Sequence, residues 1–93
     1  MELTQLRQFV CIVESGTMLK ASELLYVSQP ALSNSIKSLE IELGVDLFER
    51  RGKKLVLTNA GRSLYISAKE AIELLDTVKE DLKDSKYDTN DKV

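Results

Sequence analysis

The sequence predicts a mainly α-helical chain: three helices, a two-stranded β-hairpin and one long final helix. Three observations predict it. Apolar residues recur at helical spacing over 3–15, 29–43 and 59–84, each stretch bounded by a capping residue or a glycine. Between the last two, Leu47-Phe48-Glu49-Arg50 and Leu55-Val56-Leu57 flank Arg51-Gly52-Lys53-Lys54, which reads as a hairpin over 47–57 with glycine at its tip. From Ser85 to Val93 the chain is polar without periodicity, and a loose tail is expected.

In the first helix Leu3, Leu6, Val10 and Val13 form the apolar stripe, Phe9 widens it, and Gln5, Gln8 and Glu14 face elsewhere. Gly16 is a natural left-handed stop. Thr17 can cap a second, short helix whose buried face is expected at Ala21, Leu24 and Leu25. That helix ends near Leu25, because Tyr26-Val27 stands just before a fresh start signal, Ser28-Gln29-Pro30. Ser28 can accept from the free amides of the next turn, where a proline lacking its N–H costs nothing. Leu32, Ile36, Leu39 and Leu43 then form one continuous stripe; Gly44 ends the third helix, and Val45 could pack back on Leu39.

Thr58 caps the last helix. Within it Leu64, Ala68, Ala71, Leu75, Val78 and Leu82 hold a period of 3.5, a seam suited to another helix. A helix over 59–84 is about 39 Å long, more than so small a body can cover. The exposed seam therefore predicts a homodimer, or a higher oligomer in the full-length protein, over the alternative of a helix folded back on its own domain, with Ala68 and Ala71 allowing close approach in its middle.

Composition removes several functional classes. The chain has 93 residues, no His and one Cys. No ligand set for structural zinc is available, and no His-based general base or triad can form. The carboxylates lie scattered along helix faces without a cluster. No catalysis, metal or cofactor is therefore expected. Cys11, in an apolar stretch, reads as packing. A single cysteine fits a reducing compartment, and MELTQLRQFV has no basic-then-apolar signal region. The apolar run Phe9–Val13 is far too short to span a bilayer. The expectation is a soluble cytoplasmic protein without a membrane partner.

A formal charge of −2 ordinarily counsels against nucleic acid, whose binding is dominated by Lys and Arg. The charge is uneven, however. Residues 1–62 carry eight basic and seven acidic groups, and 63–93 carry five and eight. Four of the basic groups, Arg50, Arg51, Lys53 and Lys54, crowd the hairpin tip without an acid between them.

A short helix, a three-residue turn and a longer helix match a helix-turn-helix at about 18–37, whose second helix enters the DNA major groove by its N-terminal end. At 100° per residue, Pro30, Asn34, Lys37 and Ile41 lie about 140° to 200° from Leu32, opposite the core stripe. Gln29 and Ser33 stand off that arc near the N-terminal end. The first two turns thus offer amide, hydroxyl and ammonium groups that can pair with base edges or phosphate. Ile41 does not fit a polar reading face and is expected to pack on the hairpin or on the last helix. A solvated helix shows a polar outer face too, so this face alone does not establish DNA reading. A basic hairpin placed as a wing beside the groove would grip backbone or enter the minor groove, and it shifts the balance toward double-stranded DNA. The rival reading is a protein-interaction module whose long helix binds a partner helix.

The same residues resemble the N-terminal part of LysR-type transcriptional regulators. Met1-Glu2-Leu3, Leu6-Arg7, Phe9-Val10, Glu14, Gly16 and Ala21 match its opening. Ser28-Gln29-Pro30-Ala31-Leu32-Ser33, Ile36, Leu39-Glu40, Leu43-Gly44, Leu47-Phe48, Arg50, Leu57-Thr58 and Ala60-Gly61 match its centre. The resemblance implies a winged helix-turn-helix over 1–58, a linker and dimerisation helix over 59–84 pairing antiparallel, and a tail at 85–93 leading to an effector-binding domain absent from this chain. A small-molecule effector would then act only through that missing domain, and the chain looks like a DNA-binding fragment of a bacterial, nucleoid-associated regulator. Carried over by residue, the contacts expected are Gln29, Pro30, Ser33, Asn34 and Lys37, with Arg50, Arg51, Lys53 and Lys54 on the wing; Ser28 reads as a cap. Thr17 stands where the family usually has Ser, and Ser22 where a second Ala is common. Asn34 stands where the family often carries Arg, so an inherited base preference does not follow.

Overall fold

Three of the four predicted helices begin where the side-chain oxygen of the capping residue takes up a free amide. Thr17 Oγ1 accepts from Lys20 N–H at 3.0 Å, Ser28 Oγ from Ala31 N–H at 3.2 Å, and Thr58 Oγ1 from Gly61 N–H at 2.9 Å. The structure, a computed structural model, describes residues 1–84; the tail expected at 85–93 lies outside them. Its elements are α1 (Leu3–Ser15), α2 (Met18–Leu25), α3 (Gln29–Leu43), β1 (Phe48–Arg51), β2 (Lys54–Leu57) and α4 (Asn59–Asp84). α1 packs against α2, α3 and α4, and the antiparallel β1–β2 hairpin leans on the start of α4.

The stops follow the glycines, with one exception. Gly16 and Gly44 close α1 and α3 in the left-handed region. α2 instead closes on Tyr26, at φ 57° and ψ 40°. Among the described residues Tyr26 is the one non-glycine with positive φ, a conformation that costs an L-residue about 1 kcal/mol.

The core comprises Phe9, Val10 and Ile12 of α1, Ala21 of α2, Leu32, Ile36 and Leu39 of α3, Leu47, and Ala68 and Ile72 of α4. It differs from the expected stripes in an ordered way. Because α1 is covered by three helices, its buried face is wider and rotated toward Phe9 and Ile12, leaving Leu3 exposed. On α2, Ser22 takes the buried place expected for Leu24; its hydroxyl is satisfied by donating to Leu19 O at 2.7 Å. Val45, expected to close on Leu39, remains 41% exposed, and Ile41, expected to pack on the hairpin or the last helix, is 75% exposed. Gln5 and Gln8 are half-buried, not solvent-facing: Gln5 Nε2 donates to Ser35 O at 3.3 Å, and Ser35 Oγ donates to Gln8 Oε1. Cys11 is half-buried, and burial with nearby Glu14 pushes its thiol up from the usual range.

Three contacts set where the hairpin stands. Phe48 lies against Phe9 with ring centroids 5.4 Å apart. Glu40 Oε2 on α3 accepts from Leu47 N–H at 2.7 Å and Phe48 N–H at 3.3 Å. Thr58 Oγ1 donates to Asp46 O at 2.6 Å, and Thr58 N–H donates to Leu47 O at 3.0 Å. Gly61 completes the junction, since a Cβ there would lie 2.3 Å from Leu47 O.

The stripe of α4 does two jobs. Tyr65, Lys69, Ile72 and Asp76 face the protomer's own α1, whereas Ala71, Leu74, Leu75 and Val78 are exposed on a side about 140° away. Ala68, expected in the dimer seam, is 2% exposed inside the protomer's core, and Leu64 is half-buried against that core. Sequence periodicity could not separate the two surfaces, because an apolar side chain serves either one. Two ion pairs complete the α1–α4 contact: Lys69 Nζ with Glu14 at 2.5 Å, beside Tyr65 OH donating to the same carboxylate, and Arg7 with Asp76 at 2.8 Å.

Candidate nucleic-acid interface

The candidate interface starts from the end of α3. Its core stripe turns Leu32, Ile36 and Leu39 inward, so geometry alone turns Gln29, Pro30, Ser33, Asn34 and Lys37 outward, and all five are exposed. Pro30 occupies the first turn, and the Ser28 cap holds that turn in place.

The wing is built by register. The strands pair Phe48 with Leu57, Glu49 with Val56, Arg50 with Leu55 and Arg51 with Lys54, leaving Gly52-Lys53 as a two-residue turn. Gly52 sits at φ 64° in the first turn position, as a type II′ hairpin requires. Directly paired residues share a face, so Arg50 lies on the same side of the hairpin as Phe48 and Leu55, the side that packs on the helices. Arg51 lies on the other side, paired with Glu49 at 2.9 Å.

Two clefts result. One, of about 190 Å³, is lined by Ser33, Ile36, Lys37 and Glu40 of α3, Met18 of α2, and Phe48, Glu49, Arg50 and Leu55 of the wing. The other, of about 440 Å³, brings Gln29 together with Arg50, Lys53, Lys54 and the start of α2, Thr17 to Leu19. Arg50 borders both. The structure thus gathers Gln29, Ser33, Lys37, Arg50, Lys53 and Lys54. Pro30 and Asn34 stand on the outer surface of α3, lining neither cleft, and Arg51 is turned away.

Among the described residues, Lys37, Arg50, Lys53 and Lys54 have no ion-pair partner, so their charge is available to an outside anion. The start of α2 is the part that sequence reasoning did not place in the site. Thr17 as a cap was the available signal, since capped helix starts direct spare amides toward anions. No helix among the described residues is long and apolar enough to cross a membrane.

Comparison with known proteins gives the arrangement a family. Residues 3–62 match the family model described as "Bacterial regulatory helix-turn-helix protein, lysR family". The chain is similar to the transcriptional regulator YtlI of Bacillus subtilis, 43% identical over 86 residues, covering 92% of this chain and 28% of that protein. It is similar to the RuBisCO operon transcriptional regulator of Allochromatium vinosum, 40% identical over 84 residues, covering 83% of this chain and 28% of that one. The chain thus spans less than a third of these relatives.

Among solved structures, the BenM DNA-binding domain in complex with catB site 1 DNA superposes with a TM-score of 0.87 at 36% identity, covering 91% of this chain and 94% of that one. The CbnR DNA-binding domain in complex with DNA gives 0.82 at 34% identity, covering 91% and 98%. The winged arrangement of α2, α3 and the hairpin is therefore that of a LysR-type DNA-binding domain, and the chain belongs to the bacterial LysR family of helix-turn-helix transcriptional regulators.

Proposed function

We propose that this domain recognises specific double-stranded DNA by setting the N-terminal half of α3 in the major groove and closing the wing on the flanking backbone. The observation that carries the reading is the convergence of Gln29, Ser33 and Lys37 with Arg50, Lys53 and Lys54 around two adjoining clefts. Gln29 and Asn34 present amides suited to adenine edges, Ser33 a hydroxyl, and Pro30 an apolar surface that fits a thymine methyl. Lys37 is placed for guanine or phosphate, and Arg50, Lys53 and Lys54 for phosphates. Arg51 joins the wing's contacts by exchanging Glu49 for a phosphate.

The exposed side of α4, Ala71, Leu74, Leu75 and Val78 with Leu82 further along, then pairs two copies antiparallel and sets the distance between their reading helices. Small-molecule control belongs to a domain outside this chain. The protein works in the cytoplasm, on the nucleoid.

Fluorescence anisotropy with a duplex selected by this chain from a random-sequence pool tests the reading. Affinity should fall steeply with salt, log K dropping by about 0.9 per log unit of salt for each phosphate neutralised. No selected duplex, or an affinity indifferent to salt, overturns it.

A further inference from the structure

We infer that Tyr26, in the turn between α2 and α3, is an additional DNA-contacting residue that positions the reading helix by touching the sugar-phosphate backbone; this rests on the DNA-binding reading above. Of the described aromatic residues, Phe9 and Phe48 pack together and Tyr65 OH donates to Glu14. Tyr26 is 94% exposed, and no side-chain hydrogen bond or ring contact inside the protomer occupies it. Its backbone N–H alone is used, reaching Glu23 O and so closing α2.

The conformation at this position makes the residue type informative. A left-handed helix stop is met without strain by glycine and at low strain by asparagine, and the same chain uses glycine at the ends of α1 and α3. Tyrosine there works against folding and contributes no packing in return. The fold does not need the ring. What could use it lies close by: Gln29, the first residue of α3, is three residues on, at most about 10 Å along an extended chain. A phenol carries one strong O–H donor for a phosphate oxygen and a flat face for a deoxyribose, and it brings no charge.

The test uses the full chain with Tyr26→Asn, Tyr26→Phe and Lys53→Ala, each measured for thermal stability and for affinity to a duplex selected by the wild type. Tyr26→Asn should keep or raise the melting temperature, because Asn suits the left-handed turn, while affinity falls about five-fold, a typical size for one lost contact. Its salt dependence should match the wild type, whereas Lys53→Ala should flatten it by about one phosphate's worth. Tyr26→Phe should keep the ring's share of the affinity and lose the hydroxyl's. If Tyr26→Asn folds and binds like the wild type while Lys53→Ala weakens binding, the role of Tyr26 is overturned and the DNA-binding reading stands. If the wild type binds no duplex, both fall.

Discussion

Asn34 and Gly61 show how differently single residues act in this domain. Asn34 is exposed on the outer surface of α3 and holds nothing in place inside the protomer. Asn34→Ala should therefore leave stability within about 0.5 kcal/mol while changing which base is preferred at one position. Site selection from a random pool checks it; an unchanged preferred sequence would remove Asn34 from the readers. Gly61 is the reverse case. It lines neither cleft of the candidate interface, but its Cα passes so close to Leu47 O that a methyl group has no room. Gly61→Ala should cost about 1–3 kcal/mol in a denaturant titration, by pushing α4 away from the root of the wing. The motif Leu57-Thr58-Ala60-Gly61 was visible in the sequence, yet the reason for its glycine was not: the clash is with a carbonyl fourteen residues earlier, brought there by the hairpin.

At the scale of elements, the α1–α4 contact carries a pH dependence of defined sign. Hydrogen bonds from Lys69 and Tyr65 hold the Glu14 carboxyl below its ordinary value, and the Arg7 guanidinium does the same for Asp76. A carboxyl depressed by folding stabilises above its unfolded pKa, near 4, and that stability is lost as pH falls through the folded value. The melting temperature should therefore drop as pH is lowered from about 5 to 3, and the drop should shrink in Glu14→Gln/Asp76→Asn. Both pairs are largely exposed, so the effect is modest and salt-sensitive.

The wing is the second element with its own prediction. Lys53→Ala/Lys54→Ala removes two charges from an exposed turn, so stability should hold while affinity falls for every duplex, and the salt slope should lessen by about 2. Element identity and ends were legible because caps, glycines and apolar spacing are local signals. The burial of Ser22 in place of Leu24, and the exposure of Ile41, were not. They depend on which neighbours cover each face.

For the molecule as a whole, the charge of −2 conceals a division of labour. The net-positive part contains α3 and the wing; the acids Glu70, Glu73, Asp76, Glu80, Asp81 and Asp84 lie on α4. One copy offers few cations, so tight binding should need two. Leu75→Glu/Val78→Glu places charges in the middle of the exposed side of α4 without touching the core. The variant should be a monomer by light scattering, bind a single half-site as the wild type does, and lose about 100-fold on paired half-sites. A variant that remains dimeric would move the interface away from this side of α4.

What the sequence determined by itself is the order, type and limits of the elements, the outward set on α3, the basic wing and the family. All of these are written in local spacing or short motifs. Only the tertiary structure decided how the charges and apolar residues are shared out. Strand register put Arg50 beside Gln29, Ser33 and Lys37 and turned Arg51 toward Glu49. The packing of α1 drew Ala68 and Ile72 into the core and left Leu74, Leu75 and Val78 outside. The reason is physical: periodicity records that a side chain prefers to leave water, but only the arrangement of neighbouring elements says which surface it leaves water for.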